Sequence, residues 1–489
     1  MTRSMLSSIV IGACLHAACA PLEDEQSEEL LATAQQAFTG TEDMLNSCSP
    51  SPSSFYRLPF GPGSGFTLDQ GNWDDPGAKH TASDGQAQSY SYDFLAPVGT
   101  EVRAARAGRV AFVHSAQSIN TTVPYTAPGD PDLERGEGNL VVIRHLDDTA
   151  AAYAHLQQDQ VFVREGEYVP RGRVIALSGN TGHSFAPHLH FDVHPSFTDW
   201  DSWVNTMKIR FQDANHTCWR PLVGNSLASN NTVTSVPLSA LMQPGTGTQS
   251  FLAGMELDDF LAAWVDLGTS SPAQYMKDFD TYLEGGVRRY AGVFGPGSAG
   301  QSFFPGLTYQ QLRDKRTELA NAPTKQVMIT FDTYMDGSTR RFDALFGPGT
   351  ADQDFKGGLT QSDFVDEWIA QGLLGRDMIT FQVYPSGGQM RYAGLFGTGN
   401  LGQHFVSNKT YQQFYDLWIA LGQQSPPAYM RAFRIYNEGG QTRYAGLFGP
   451  GQGGQGFHPG RTFDTLASEW TTAQKVYNAG LVTVVTTAE

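Results

Sequence analysis

Cationic side chains are scarce in this chain. Lys plus Arg number 32 against 49 Asp plus Glu in 489 residues, a formal charge of -17. Such a chain cannot neutralise a phosphate backbone, which excludes nucleic acid as a partner. Anionic surfaces repel it unless it is tethered. Long apolar runs are also missing. The clearest one, Met5 to Ala18, falls short of the roughly 20 residues that a bilayer span requires. Cysteine is nearly absent, with four in the chain, which excludes a disulfide-dense mini-domain scaffold. There is no HExxH, so no helix offers two metal-binding imidazoles and a glutamate base together.

What is present is enough for large cores. The chain is 40% hydrophobic and 12% aromatic, which excludes a mainly disordered protein. At roughly 100–200 residues per domain, two to four units are expected. The 53 glycines exceed the usual share of about 7% and call for many turns or a repeat. Nine of the twelve histidines lie between His80 and His216.

The N-terminus reads as an address. A single cation in residues 1–3 precedes the apolar stretch, which fits the h-region of a signal peptide over residues 1–20. Cys14 and Cys19 both follow small residues as in a lipoprotein leader, so either could carry a lipid anchor; cleavage after Ala20 is the alternative. Export is therefore expected, to an extracellular, periplasmic or outer-membrane location, with the membrane reached only through such an anchor. Residues 21–47 are acidic and read as a tether. Cys48 and Cys218 remain after the leader and bracket the histidine-rich region; in an oxidising compartment they are expected to pair.

Residues 48–220 alternate short β-like runs such as GRVAFVH, NLVVIRH and HLHFDVH with Gly, Pro and Asn turns, the pattern of an antiparallel β-rich domain. Residues 221–248 are rich in Ser, Asn, Thr, Pro and Gly and read as a linker. From 249 to 489 the chain repeats. RYAGVFGPG starts at Arg289, RFDALFGPG at Arg341, RYAGLFGTG at Arg391 and RYAGLFGPG at Arg443, at spacings of 52, 50 and 52 residues. An aromatic strand and a Gly turn precede each, predicting a hairpin. Helical patterns such as TYQQFYDLWIALG lie between hairpins, with Thr or Ser as N-cap and Gly at the end. Such units cannot bury their apolar faces alone and must stack. The partial unit PGTGTQSFLAGMELDDF at the start and the half-unit RTFDTLASEWTTAQ at the end predict either circular closure or capping. The FGPGxxGQxF segments read as tight turns, with a shared binding face as the alternative. These units resemble the bacterial tandem repeats of exported proteins. The fold class expected overall is α+β.

Chemistry concentrates at Ala186-Pro187-His188-Leu189-His190-Phe191. Strand side chains alternate, so His188 and His190 share one face while Leu189 and Phe191 share the other. Upstream stand Asp93, in YDFLAPVGT, and His155, in YAHL; GNTGHSFAPHLHF closes the series. In this order the motifs resemble the lysostaphin-like M23 zinc endopeptidases over roughly residues 60–200. The resemblance implies Zn2+ held by Asp93, His190 and a histidine shortly before the aspartate. In the commonest form that histidine lies four residues earlier, where this chain has Ser89, so His80 is the assigned ligand. His188 and His155 are implied to act beside the metal. Two imidazoles and one carboxylate leave a fourth zinc position for water. The resemblance implies an exported zinc metalloendopeptidase acting on peptidoglycan cross-links or glycine-rich peptides, with the repeats as a targeting or substrate-binding module. The alternative is a degenerate, non-catalytic relative that binds peptidoglycan or regulates another hydrolase. His114, His145, His183, His194 and His216 are expected to be structural or solvated, as are His404 and His458 in the repeats.

Overall fold

The computed structural model describes residues 9–10 and, from residue 56 on, all but 64, 78–79, 81–87, 119, 122–137, 198–205, 217, 246–247, 400–401, 452, 478 and 489. The leader, the acidic tether, Cys14, Cys19 and Cys48 lie outside the described residues. Cys218 is disulfide-bonded. Among the described residues no helix is long and apolar enough to cross a membrane. Two compact units divide the chain between Thr234 and Ser235.

The first unit is built on one antiparallel sheet. Its strands are β1 (Gly65–Gln70), β2 (Tyr92–Leu95), β3 (Glu101–Arg103), β4 (Gly108–His114), β5 (Asn139–Arg144), β6 (Ala150–Val161), β7 (Tyr168–Val169), β8 (Val174–Ser178), β9 (His188–His194) and β10 (Ser226–Ala228). The order is β7-β4-β5-β6-β9-β2-β1-β10, with β8 pairing β3 and β6. Alternation sorts the side chains. Tyr92, Phe94, Val141, Ile143, Tyr153, Leu189, Phe191 and Val193 point into the main core on one face. The opposite face has a smaller cluster of Leu140, Val142, Ala150, Ala152, Ala154 and Phe197, and beside it a row of buried polar groups.

The expected linker is not a linker. Strand β10 pairs with β1, Ser229 Oγ donates to Phe60 O (2.6 Å), and Asn231 Nδ2 donates to Leu58 O (3.0 Å) and Ala104 O (3.1 Å). The polar composition that suggested a loop serves to satisfy backbone carbonyls at the sheet's margin. The remainder, β11 (Leu238–Pro244), is a fully paired strand of the second unit.

The second unit follows the repeat. Its elements are β12 (Ser250–Met255), α1 (Leu257–Thr269), β13 (Tyr275–Glu284), β14 (Val287–Gly295), β15 (Ser302–Leu307), α2 (Tyr309–Asn321), β16 (Gln326–Asp336), β17 (Thr339–Pro348), β18 (Gln353–Leu359), α3 (Gln361–Leu373), β19 (Arg376–Ser386), β20 (Gln389–Thr398), β21 (His404–Lys409), α4 (Tyr411–Gln423), β22 (Tyr429–Glu438), β23 (Gln441–Gly449), β24 (Gly456–Arg461), α5 (Phe463–Tyr477) and β25 (Ala479–Val485). Each unit contributes a strand, a helix and a hairpin. The β13–β14 turn uses Gly285 and Gly286 at φ 58° and 79°, the double left-handed pair that a two-residue hairpin requires. Thr308, Thr360 and Thr410 cap α2, α3 and α4. Gly268, Gly372 and Gly422 do not end their helices as expected but sit inside the last turn, the chain leaving α1 and α4 through extended Ser270 and Gln424.

The half-units at the two ends complete each other. The last sheet has the order β24-β11-β25, so the first strand of the unit supplies the central strand of the last sheet. Inner strand β13 touches β16, β16 touches β19, β19 touches β22, β22 touches β25, and β25 returns to β13. Leu241 of β11 and Val485 of β25 share a core with Phe414, Phe433 and Phe448 of the preceding unit. The result is a closed ring of five sheets. Polar side chains line its axis: Asp278 accepts from Thr330 Oγ1 (3.0 Å) and Thr483 Oγ1, Asp332 from Thr281 N and Oγ1 (2.7 and 2.6 Å), and Arg434 Nε donates to Gln382 Oε1 (2.7 Å).

Candidate metal centre

Strand β9 sits between β6 and β2, in register His190↔Asp93 on one side and His190↔Ala154 on the other. Pairing therefore puts His190 and Asp93 side by side on the polar face. His190 Nδ1 is 2.9 Å from Asp93 Oδ1. The third group arrives from the loop after β1. That loop is held by Arg220–Asp75 (2.7 Å), by Lys208–Asp74 (2.8 Å) and by Trp73 N donating to Ser89 O (2.8 Å). It ends at His80, whose Nε2 is buried without a hydrogen-bond partner and lies 3.4 Å from Asp93 Oδ1. One donor atom from each of His80, Asp93 and His190 falls within 4.8 Å of the others. At metal–ligand distances of about 2.0–2.1 Å, tetrahedral zinc holds its donors about 3.3 Å apart, a separation bracketed by the two contacts on Asp93. The orphaned buried nitrogen and the two-imidazole, one-carboxylate donor set thus fit zinc. Ser89, at the position that the commonest family form gives to histidine, is buried with Oγ unpaired.

Electrostatics agree with a cation-binding site. Burial alone would raise the Asp93 carboxyl; the hydrogen bond with His190 and the imidazole of His80 outweigh it and hold Asp93 well below the usual carboxylate range. Two further imidazoles face the same place. His188 Nε2 is 3.7 Å from Asp93 Oδ1, and the His155 and His188 rings are 4.6 Å apart. Burial, then the neighbouring His188 and His190, push the His155 imidazole down to about 3, so it is neutral. His155 Nδ1 donates to Thr181 O (2.8 Å) and His188 Nδ1 to Ala186 O (2.7 Å). The neutral His155 ring then keeps a lone pair on Nε2, the tautomer being assigned from its partner.

The motif GNTG is explained by how it holds His155. His155 adopts φ 60°, uncommon for a residue with a side chain. Its carbonyl accepts from Gly179 N (3.0 Å). Thr181 Oγ1 donates to Leu156 O (2.7 Å), and Asn139 donates to the same oxygen (3.2 Å). Ser184 Oγ donates to Asn180 Oδ1 (2.6 Å) and lies 3.1 Å from His188 Nδ1. Sequence reading overlooked Asn139, Ser91 and Asp192. It set His194 aside, yet His194 Nε2 donates to Asp192 Oδ1 (3.2 Å) beside the centre. Strand parity from His190 would have pointed to Asp192 and His194. The remaining histidines show ordinary packing: His145 is buried, donates to Ala107 O (2.8 Å) and is pushed down to about 3 by burial, and His216 stacks on Trp219.

A largely buried His–Asp–His donor set on a β-sheet, flanked by two further imidazoles, is suited to hold a single metal ion. Residues 87–202 match the model of Peptidase family M23, and the chain carries a domain of that family. The match takes in Asp93, His155, His188 and His190 but begins after His80. The chain is 39% identical over 83 residues to an uncharacterized metalloprotease of Haemophilus influenzae, covering 16% of this chain and 17% of the relative. It is 33% identical over 119 residues to the peptidoglycan DD-endopeptidase ShyB of Vibrio cholerae, covering 24% and 23%. It is 48% identical over 59 residues to the murein hydrolase activator NlpD of Escherichia coli, covering 12% and 15%. The chain thus spans less than a quarter of each of these relatives.

Proposed function

We propose that the protein is an exported zinc metalloendopeptidase that hydrolyses peptide bonds in peptidoglycan cross-links or glycine-rich peptides. The convergence of His80, Asp93 and His190 carries this reading. His80 Nε2, an Asp93 oxygen and His190 Nδ1 would hold the ion. Zinc, when bound, supplies Lewis acidity toward the scissile carbonyl and lowers the pKa of water. The chain's own groups do the proton work. A neutral imidazole at Nε2 of His155 or His188 takes the proton of the attacking water. Once protonated, that ring donates to the oxyanion or returns the proton to the leaving amine as the C–N bond breaks. Tight Nδ1 hydrogen bonds keep both rings in the required tautomer. The leader and the names of the peptidoglycan-acting relatives support export and this substrate class, and the ring unit is proposed as the targeting or substrate-binding module. Chelation should abolish hydrolysis of purified cell walls or glycyl peptides, with zinc restoring it. Activity persisting in metal-free His190→Ala would sink the reading.

A second reading rests on Ser89 and on the likeness to a hydrolase activator: a non-hydrolytic envelope protein that regulates another hydrolase. Zinc near one per chain, lost in His80→Ala together with wall hydrolysis, excludes it. Stimulation of a second hydrolase by a chain that cleaves nothing itself establishes it.

A further inference from the structure

The polar face of β9 does not stop at the metal ligand. His190, Asp192 and His194 follow one another along it, 4%, 3% and 0% exposed. They stand opposite Ala154, Ala152 and Ala150 of β6, whose small side chains leave room for a polar row where larger residues would fill the space. Asp192 is the hub. Its Oδ2 accepts from His190 Nε2 (3.2 Å) and from Ser91 Oγ (3.2 Å), and its Oδ1 accepts from His194 Nε2 (3.2 Å). A carboxylate held from three sides has one orientation. A neutral imidazole that donates Nε2–H to it presents the Nδ1 lone pair on its other edge, toward Asp93 and the proposed ion.

The geometry points to Asp192 as the positioning residue of the metal centre, with Ser91 and His194 holding it in place. This rests on the zinc reading above and adds a claim about His190. Asp192 fixes that ring's tautomer and rotation, and raises its basicity as a ligand. Carboxylate partners of metal-binding histidines typically change metal affinity by 10–100-fold. A buried carboxylate in this position would otherwise be only a structural acceptor for Ser91 and His194, so stability and metal affinity must be read separately.

The test uses the full chain. Chelator competition measures the zinc Kd of wild type, Asp192→Asn and Asp192→Glu, with denaturation midpoints taken in parallel. Asp192→Asn should weaken zinc by about 10–100-fold in protein that is still folded, and Asp192→Glu should recover part of that loss. Proton–nitrogen spectra of the zinc-loaded wild type should place the His190 proton on Nε2. Folded Asp192→Asn with the wild-type zinc Kd overturns the proposal, as does a proton on Nδ1. If Asp192→Asn does not fold, the proton position in wild type decides alone. A wild type that binds no zinc overturns instead the metal reading on which this one stands.

Discussion

Gly179 offers a test of how tightly His155 must be placed. A Cβ built there would stand 2.5 Å from Gln157 N, 2.6 Å from Leu156 C and 2.7 Å from Gln157 Cα, all of them backbone atoms. Ordinary carbon contacts begin near 3.5 Å, so the two segments would have to part by about 1 Å. No flexible side chain can absorb the shift. The bond from Gly179 N to His155 O lengthens first, and Thr181, which accepts from His155 Nδ1, moves with the same segment. A misplacement of this size can lower a rate about 10²-fold, and overpacking of this kind typically destabilises by about 1–3 kcal/mol. The proposed metal donors come from β2, β9 and the loop after β1, away from the strained contact. Gly179→Ala should therefore lose about 10²-fold in kcat/KM on a cell-wall peptide while keeping its zinc stoichiometry. Wild-type turnover in Gly179→Ala would refute the positioning role, and zinc lost in step with activity would show that the centre and the His155 support are not separable.

Other perturbations reach the ring unit. Gln249 clamps Leu481 through both backbone groups, at 2.9 and 3.0 Å; Gln249→Ala leaves them unpaired and should destabilise by about 1–3 kcal/mol, with faster amide exchange concentrated in β11 and β25. Gln353→Ala should produce the same effect at Met328 instead, and a uniform rise in exchange across the ring in either variant would contradict a local clamp. Burial pushes the Asp343 carboxyl up to about 7. The folded state then binds the extra proton, so stability is highest below the ordinary carboxylate range, falls as pH rises toward about 7, and is level above it. Asp343→Asn should flatten that fall in denaturant titrations between pH 4 and 8, and an unchanged pH profile would exclude Asp343 as its source.

The face of the candidate site was legible because it is a matter of parity. An HxH on a strand puts two imidazoles on one side whatever else the fold does, and pairing with YDF needs only an antiparallel neighbour. Asp192 escaped although the same parity covers it, because a lone acidic residue in a strand carries no motif. His80 could be named only as the nearest upstream histidine. What brings it to Asp93 is a loop pinned by Arg220 and Lys208, residues more than 120 positions away that no local pattern connects to it. The boundary near 221–248 was misread for a related reason. Asn and Ser are enriched in loops because they bond backbone groups, and Ser229 and Asn231 do that against Phe60, Leu58 and Ala104.

In the ring, the repeat signature turns out to be spent on closure. The Gln of each QxF segment bonds both backbone groups of a residue in the preceding inner strand: Gln301 with Met276, Gln353 with Met328, Gln403 with Met378 and Gln455 with Met430. Gln249, in the partial unit, makes the fifth such clamp, on Leu481, 232 residues away. The side chain uses one N–H and its oxygen in every case, so these shared glutamines are committed to the frame. The proposed targeting role is assigned instead to positions that differ between units. The outward faces of the helices are such positions: Thr317, Ile369 and Ile419 occupy equivalent places on α2, α3 and α4, and all three are exposed. A partner that reads this ring reads an uneven surface on a five-fold frame, and it has to bind in one orientation rather than five.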